Sequence, residues 1–235
     1  MISPVSKKNP VLSLQALEAL RRINSPTIAN AIETFDVRPR GQGVSDARIR
    51  CQFPEFGVLL GYACTATILS GKPAPAKRSV SRTDYWEYTK QFAGPKITVI
   101  QDLSEVPGGA YWGEVNASIH LALGSQGVLT NGTARDLDEV HTTGFHVFSS
   151  GVSVSHGFAH LEDFRLPVTL FGMTVHPGDL VHADRHGAVV IPREIAGEVA
   201  EAASEIERVE RKMLDLCRSK NFSITRLDKL ISPEY

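Results

Sequence analysis

Residues 108–140 read GGAYWGEVNASIHLALGSQGVLTNGTARDLDEV, and two signals within this stretch decide the fold class. After Gly113, the apolar residues Val115, Ile119 and Ala122 lie at helical spacing, which predicts a helix over 114–123. Val128 to Asn131 then reads as a short buried strand. The same alternation continues outwards. Strand signals fall at Gly57–Leu69, Lys96–Gln101, Val147–Phe148 and Val168–Phe171. Leu180–Ala183 and Ala188–Ile191 flank a turn around Arg185–Gly187 and read as a hairpin. Helices are expected from Ser13, where Leu14, Leu17 and Leu20 recur, from Ser25 as a cap followed by Pro26, and over Ser81–Gln91. After Pro192, Ile195, Val199, Ala202, Ile206, Val209 and Met213 predict an amphipathic helix to about Cys217, about seven turns long. The result is a mixed α/β chain with central strands and helices outside.

The chain has 235 residues, 42% hydrophobic and 22% charged, which excludes wholesale disorder. A net charge of −1 argues against a protein devoted to nucleic acid. No stretch approaches the roughly 20 apolar residues that span a bilayer, so a soluble protein without a membrane partner is expected. Three cysteines without metal or redox spacing suit a reducing cytoplasm. We expect a loose arm at 1–12, a single domain at 13–220 and a tail at 221–235.

Chemistry concentrates in the opening stretch. If Gly113 precedes a helix, the N–H groups of Glu114, Val115 and Asn116 point out of its start and, with the helix dipole, form an anion site that needs no basic side chain. The alternative is that Gly113 only makes a tight turn. Asn131–Gly132 predicts a sharp turn at a strand end, followed by Arg135 and Asp136. Arginine suits bidentate capture of a carboxylate, and aspartate suits a hard divalent cation with water completing its shell. The alternative here is structural, because Asp136 followed by Glu139 resembles a helix-capping pair. Among eight histidines, His156 and His160 are four apart, but Ser155 and Gly157 do not favour the helix that would pair them on a metal. One histidine in a cleft could act as acid or base. No GxSxG, GxxxxGK[ST] or strand-linked GxGxxG occurs, which removes most support for hydride or phosphoryl transfer.

Read together, AYWGE (110–114), GSQGVLTNGTARD (124–136) and PGDLVHADRHGAVVIP (177–192) resemble the RraA-like family. GYACTA (61–66) resembles its earlier strand and SPTIANAIE (25–33) its first helix. That family includes the 4-hydroxy-4-methyl-2-oxoglutarate aldolases and the regulator of ribonuclease activity. The resemblance implies an αββα sandwich like the swivelling phosphohistidine domain, assembled as homotrimers or homohexamers with active sites between subunits. In the class II aldolases of the family, a divalent Mg²⁺ or Mn²⁺ sits, mostly through water, on the Asp matching Asp136. The Arg matching Arg135 holds the pyruvoyl part of the substrate, and the helix start matching Gly113 to Asn116 holds its carboxylate.

The aldolases carry an Asp where this chain has Glu114, 21 positions before Arg135. A Glu from a neighbouring subunit's C-terminal helix also contributes, and Glu207 is the best match, with Glu210 weaker. The segment SVSHGFAHLEDF (153–164) departs from the short aldolases, so His156 or His160 is expected to reach a different substrate. The resemblance thus implies a metal-dependent lyase cleaving a 4-hydroxy-2-oxo acid to pyruvate and a second carbonyl compound, with oxaloacetate decarboxylation as a side activity. Two alternatives share the fold. One is a non-catalytic regulator docking on a ribonuclease or helicase, and the other is a related lyase or dehydratase for sugar acids.

Overall fold

The structure is a computed structural model that describes residues 11–76 and 80–231; most of the arm expected at 1–12 therefore lies outside the described residues. Two helices come first, α1 (Leu14–Arg21) and α2 (Ser25–Glu33). Strands β1 (Arg50–Cys51) and β2 (Leu59–Leu69), helix α3 (Arg82–Gln91) and strand β3 (Lys96–Asp102) follow. The central stretch forms β4 (Ala110–Trp112), α4 (Glu114–Ala122), β5 (Ser125–Thr130), β6 (Thr133–Ala134) and α5 (Leu137–Thr143). Strands β7 (His146–Ser149), β8 (Gly151–Val152), β9 (His160–Phe164), β10 (Val168–Leu170), β11 (Met173–Val175), β12 (Leu180–Asp184) and β13 (Gly187–Ile191) lead to helices α6 (Val199–Arg218) and α7 (Ile224–Ile231).

The main sheet is mixed and runs β1-β7-β5-β3-β2-β12-β13, with β9 also pairing with β2. Neighbours among β2, β3, β5 and β7 are parallel, and the other pairings are antiparallel. β2 is the spine of the molecule. Its start pairs with β12 (Leu59 to Tyr62) and its end with β9 (Ala66 to Leu69). Its side chains alternate with the two-residue period of a strand. Leu59 and Ala63 enter a core enclosed by the curling sheet and the β10–β11 hairpin, with Val99, Leu129, Phe148, Met173 and Val181. Leu60 and Tyr62 face a core shared with α1, α2 and α6, whereas Cys64, Ala66 and Ile68 face one shared with α3, α4 and α5. The expected α/β architecture is thus a barrel-like mixed sheet with flanking helices. Among the described residues, no helix is long and apolar enough to cross a membrane.

Three local expectations need correction. Ser25 is not the cap of α2. Asn24 takes that place, its side chain accepting the Thr27 N–H at 2.9 Å. Ser25 is instead held from β12: its N–H donates to Asp184 Oδ2 at 2.8 Å and its hydroxyl meets His182 Nδ1 at 2.9 Å. The last long helix begins at Val199, not just after Pro192, because Gly197 is a poor helix former and residues 194–198 form turns. Asn131–Gly132 does not form a positive-φ turn. The Asn131 side chain continues the sheet hydrogen bonding, accepting the Asp102 N–H at 2.7 Å and donating to the Asp102 carbonyl at 2.8 Å.

Two buried polar groups fix the helices that border the central stretch. Lys96 Nζ donates to the Thr89 and Lys90 carbonyls at 3.0 and 3.1 Å, satisfying the C-terminal end of α3. His120, on α4, is fully buried against Trp112 and contacts the Tyr85 hydroxyl of α3 at 3.1 Å. Its Nδ1 lies 2.7 Å from the Asn116 carbonyl, so this nitrogen carries the proton of the neutral ring. Burial pushes its pKa down from 6.5 to about 4. The neutral ring therefore stabilises the fold above pH 6.5, and that contribution is lost as pH falls from 6.5 to 4. The loss amounts to about 3 kcal/mol for this residue. Urea unfolding at pH 7 and pH 4 should show the drop, and His120→Gln should show a smaller one.

Candidate functional site

A second, three-stranded parallel sheet, β4-β6-β8, assembles the site. Trp112 pairs with Ala134, and the Arg135 N–H donates to the Trp112 carbonyl at 2.9 Å. This pairing sets Arg135 and Asp136 beside Gly113, the residue from which α4 starts. Gly113 has φ −156°, an extended conformation open to any residue, so a tight turn does not explain it. Space does. A Cβ at Gly113 would lie 2.5 Å from Asp136 Oδ2 and 3.2 Å from Arg135 Cγ.

Asp136 precedes α5 in a left-handed conformation, φ +53° and ψ +43°, which few non-glycine residues adopt. Its carboxylate makes no capping hydrogen bond to its own helix. Oδ2 instead accepts the Glu114 N–H of α4 at 3.3 Å and lies 3.6 Å from Arg135 Nε. The capping alternative therefore fails for Asp136: its backbone turn aims the side chain across to the neighbouring helix. The Val115 and Asn116 N–H groups, in the first turn of α4, have no partner within the helix.

Gly113, Val115, Asn116, Arg135 and Asp136 line one cleft of about 160 Å³, together with Arg82, Ala110, Tyr111, His156 and Ala159. Glu114 stands exposed beside it. Glu207 and Glu210 lie on α6, against the core of α1 and α2, and the single chain does not bring them to the cleft. His160 is buried at the start of β9, with Nδ1 2.7 Å from the Phe158 carbonyl. Its Nε2 lies 2.7 Å from Glu162 Oε1 without hydrogen-bond geometry. His156 reaches the cleft and His160 does not. Arg82 was not singled out from sequence. The available signal was a cation in the first turn of a helix, where the dipole disfavours one.

A larger cavity, about 590 Å³, lies between α2 and α6. Its charged residues pair locally, Arg40 with Glu33 at 3.5 Å and Glu205 with Arg208 just outside the lining. It contains none of the candidate residues.

Among the described residues, no group of three His, Cys, Asp or Glu side chains could cage an ion. The donor at the cleft is the Asp136 carboxylate, 36% exposed; Glu114, exposed in the first turn of α4, does not line it. One or two carboxylates facing water suit a hard, largely hydrated cation such as Mg²⁺ or Mn²⁺, not a zinc ion held in a closed protein cage.

Comparisons with known proteins agree with this architecture. Protein DlpA of Legionella pneumophila is 22% identical over 90% of this chain and 33% of its own length. Protein MJ0644 of Methanocaldococcus jannaschii, uncharacterised, is 32% identical over 53% of this chain and 61% of its own. The chain thus spans less than two thirds of either relative. A Halalkalibacterium halodurans protein provisionally named 4-hydroxy-4-methyl-2-oxoglutarate aldolase is 24% identical over 60% of this chain and 68% of its own. The solved Streptomyces coelicolor RraAS2, described as an unusual member of the RNase ES inhibitor RraA protein family, shares the fold. Its TM-score is 0.67 at 20% identity, over 86% of this chain and 96% of that one. Residues 25–190, which carry β2, the Gly113 helix start and the Arg135–Asp136 pair, match the family described as RraA-like: Aldolase/RraA, and the chain belongs to that family.

Proposed function

We propose that the cleft binds a 2-oxo acid and that the protein is a divalent-metal-dependent carbon–carbon lyase of the aldolase type. The observation that carries this reading is the convergence of three different groups on one small cleft. These are the first-turn N–H groups of Val115 and Asn116, which have no partner within α4, the Arg135 guanidinium and the Asp136 carboxylate. The N–H groups and the positive end of α4 suit the substrate carboxylate. Arg135 suits the keto oxygen and the negative charge that grows on it. Asp136, with Glu114 beside it, would hold Mg²⁺ or Mn²⁺, which supplies Lewis-acid stabilisation of that charge.

In the reaction, the C4 hydroxyl gives up its proton and the C3–C4 bond breaks. The oxygen's electron pair forms the new carbonyl, and the bond pair moves onto the pyruvoyl fragment as an enolate. Protonation at C3 then yields pyruvate. Glu114 is assigned to accept the hydroxyl proton, from its exposed position beside Asp136. Loss of CO₂ from oxaloacetate leaves the same enolate, so decarboxylation accompanies cleavage. The presence of Glu114, Arg135 and Asp136 together favours catalysis, and the name of the Halalkalibacterium halodurans relative points the same way.

A second reading is a non-catalytic regulator that docks on a ribonuclease or helicase. The fold likeness to RraAS2 and the lack of a three-ligand cluster among the described residues favour it. Turnover decides between the two: a panel of 4-hydroxy-2-oxo acids and oxaloacetate, assayed with Mg²⁺ and Mn²⁺, should yield pyruvate. No turnover on any of them, with capture of a ribonuclease, establishes the regulator.

Asp136→Ala should reduce metal-dependent pyruvate release to the level seen after EDTA treatment. Arg135→Ala should raise KM and lower kcat, with a loss of about 100-fold or more in kcat/KM. Gly113→Ala should keep the circular-dichroism spectrum while displacing the Asp136 carboxylate, at a cost of about 1–3 kcal/mol in stability and most of the turnover.

A further inference from the structure

The reaction ends with a proton delivered to C3 of the pyruvoyl fragment, and the groups already placed do not supply it. Glu114 serves the C4 hydroxyl, at the other end of the breaking bond. Among the described residues, the titratable side chains lining the cleft are Arg82, Tyr111, Arg135, Asp136 and His156. The two guanidiniums stay protonated at any working pH and give up no proton. A phenol, with a pKa of about 10, gives one slowly near neutrality. Asp136 is an acceptor, already facing the Glu114 N–H and the Arg135 guanidinium. An imidazole takes up and releases a proton near neutral pH, and His156 is the imidazole lining the cleft.

His156 reaches the cleft from the segment between β8 and β9, apart from the α4 start and the β6 end that carry the other groups. Main-chain contacts fix it there. The Ala110 N–H donates to the Ser155 carbonyl at 2.9 Å. A Cβ at Gly109 would lie 2.4 Å from the His156 carbonyl carbon, and one at Gly157 would lie 2.5 Å from the Gly108 carbonyl oxygen. Gly157 also has φ +50°, which glycine adopts without steric cost. The segment is thus seated directly on the chain entering β4. His156 Nδ1 lies 2.9 Å from the Gly157 carbonyl, so this nitrogen keeps its hydrogen and Nε2 is the one that exchanges a proton.

We infer that His156 is a catalytic acid, giving the proton that converts the enolate to pyruvate. This rests on the 2-oxo acid reading and adds to it a proton donor from the segment between β8 and β9. The imidazolium N–H bond at Nε2 breaks and its electron pair stays on the nitrogen. The electron pair at C3 of the enolate forms the new C–H bond. The neutral imidazole then recovers a proton from water. In reverse, Nε2 removes a C3 proton from bound pyruvate, so the protein should exchange the methyl hydrogens of pyruvate with solvent.

Proton NMR of pyruvate in D₂O with Mg²⁺ reads this step apart from carbon–carbon cleavage. The unaltered protein should exchange the methyl hydrogens well above the rate without protein. His156→Ala should lose about 100-fold or more of that rate, while calorimetry gives a pyruvate affinity within about threefold, because α4 and Arg135 hold the carboxylate and keto oxygen. Added imidazole should restore exchange to His156→Ala in proportion to its concentration, which a merely structural role for His156 would not produce. If His156→Ala exchanges as fast as the unaltered protein, or stays slow at every imidazole concentration, the role of His156 is wrong while the 2-oxo acid reading stands. The same holds if the unaltered protein binds pyruvate without exchanging it. If it neither binds nor exchanges pyruvate, both fail.

Discussion

The contact between the Asp136 carboxylate and the backbone around Gly113 is the constraint on which the site depends. The carboxylate occupies the volume that any side chain at residue 113 would need, and its oxygen takes the first N–H of α4. That arrangement requires a residue without a side chain on one strand end and a left-handed residue on the other, so a steric constraint and a conformational cost are met together. Aspartate tolerates the left-handed region better than most residues, at a cost of about 1–2 kcal/mol. The pairing of β4 with β6 brings the two ends together and offsets that cost with a hydrogen bond from Arg135 to Trp112.

Beneath this contact lies a cluster of buried aromatic rings. Trp112 is buried between His120 and Phe145, and His120 ties α4 to Tyr85 of α3. The cleft therefore lies between helices whose relative position is set by buried aromatic packing. Lys96 adds a hydrogen-bonded end to α3, the helix that carries Arg82. A small polar site built on such a base loses little entropy when a ligand is held, because few of its parts have to be ordered.

Much of this was legible in the sequence because the decisive residues are close together along the chain. The strands at 57–69 and 96–101 show through as apolar runs because they are buried on both faces, whereas the helix after Gly113 forms with Ala117 and His120 buried and Val115 exposed. Gly113, Val115, Asn116, Arg135 and Asp136 line one cleft; the family resemblance implied that grouping, while spacing alone left each residue open to a structural role. What sequence could not show depends on distant partners. Ser25 reads as a cap, but Asn24 takes the role because Asp184 and His182 of β12 engage Ser25. Asn131 reads as a turn residue, but the neighbouring Asp102 draws its amide into the sheet. Arg82 follows the Ser81 cap of α3, and only the fold brings it to the cleft.

The segment that carries His156 meets the rest of the molecule largely through carbonyls, amides and bare α-carbons, with the Ser153 hydroxyl on that of Thr133 at 2.8 Å. Val154 and Phe158 on either side are exposed, and neither belongs to a buried core. Replacing the exposed Val154 or Phe158 should cost little in folding, provided Gly109 and Gly157, where an added Cβ would strike the facing backbone, are kept. The segment thus forms a rim outside the buried core, where an exchange of side chains leaves the interior intact.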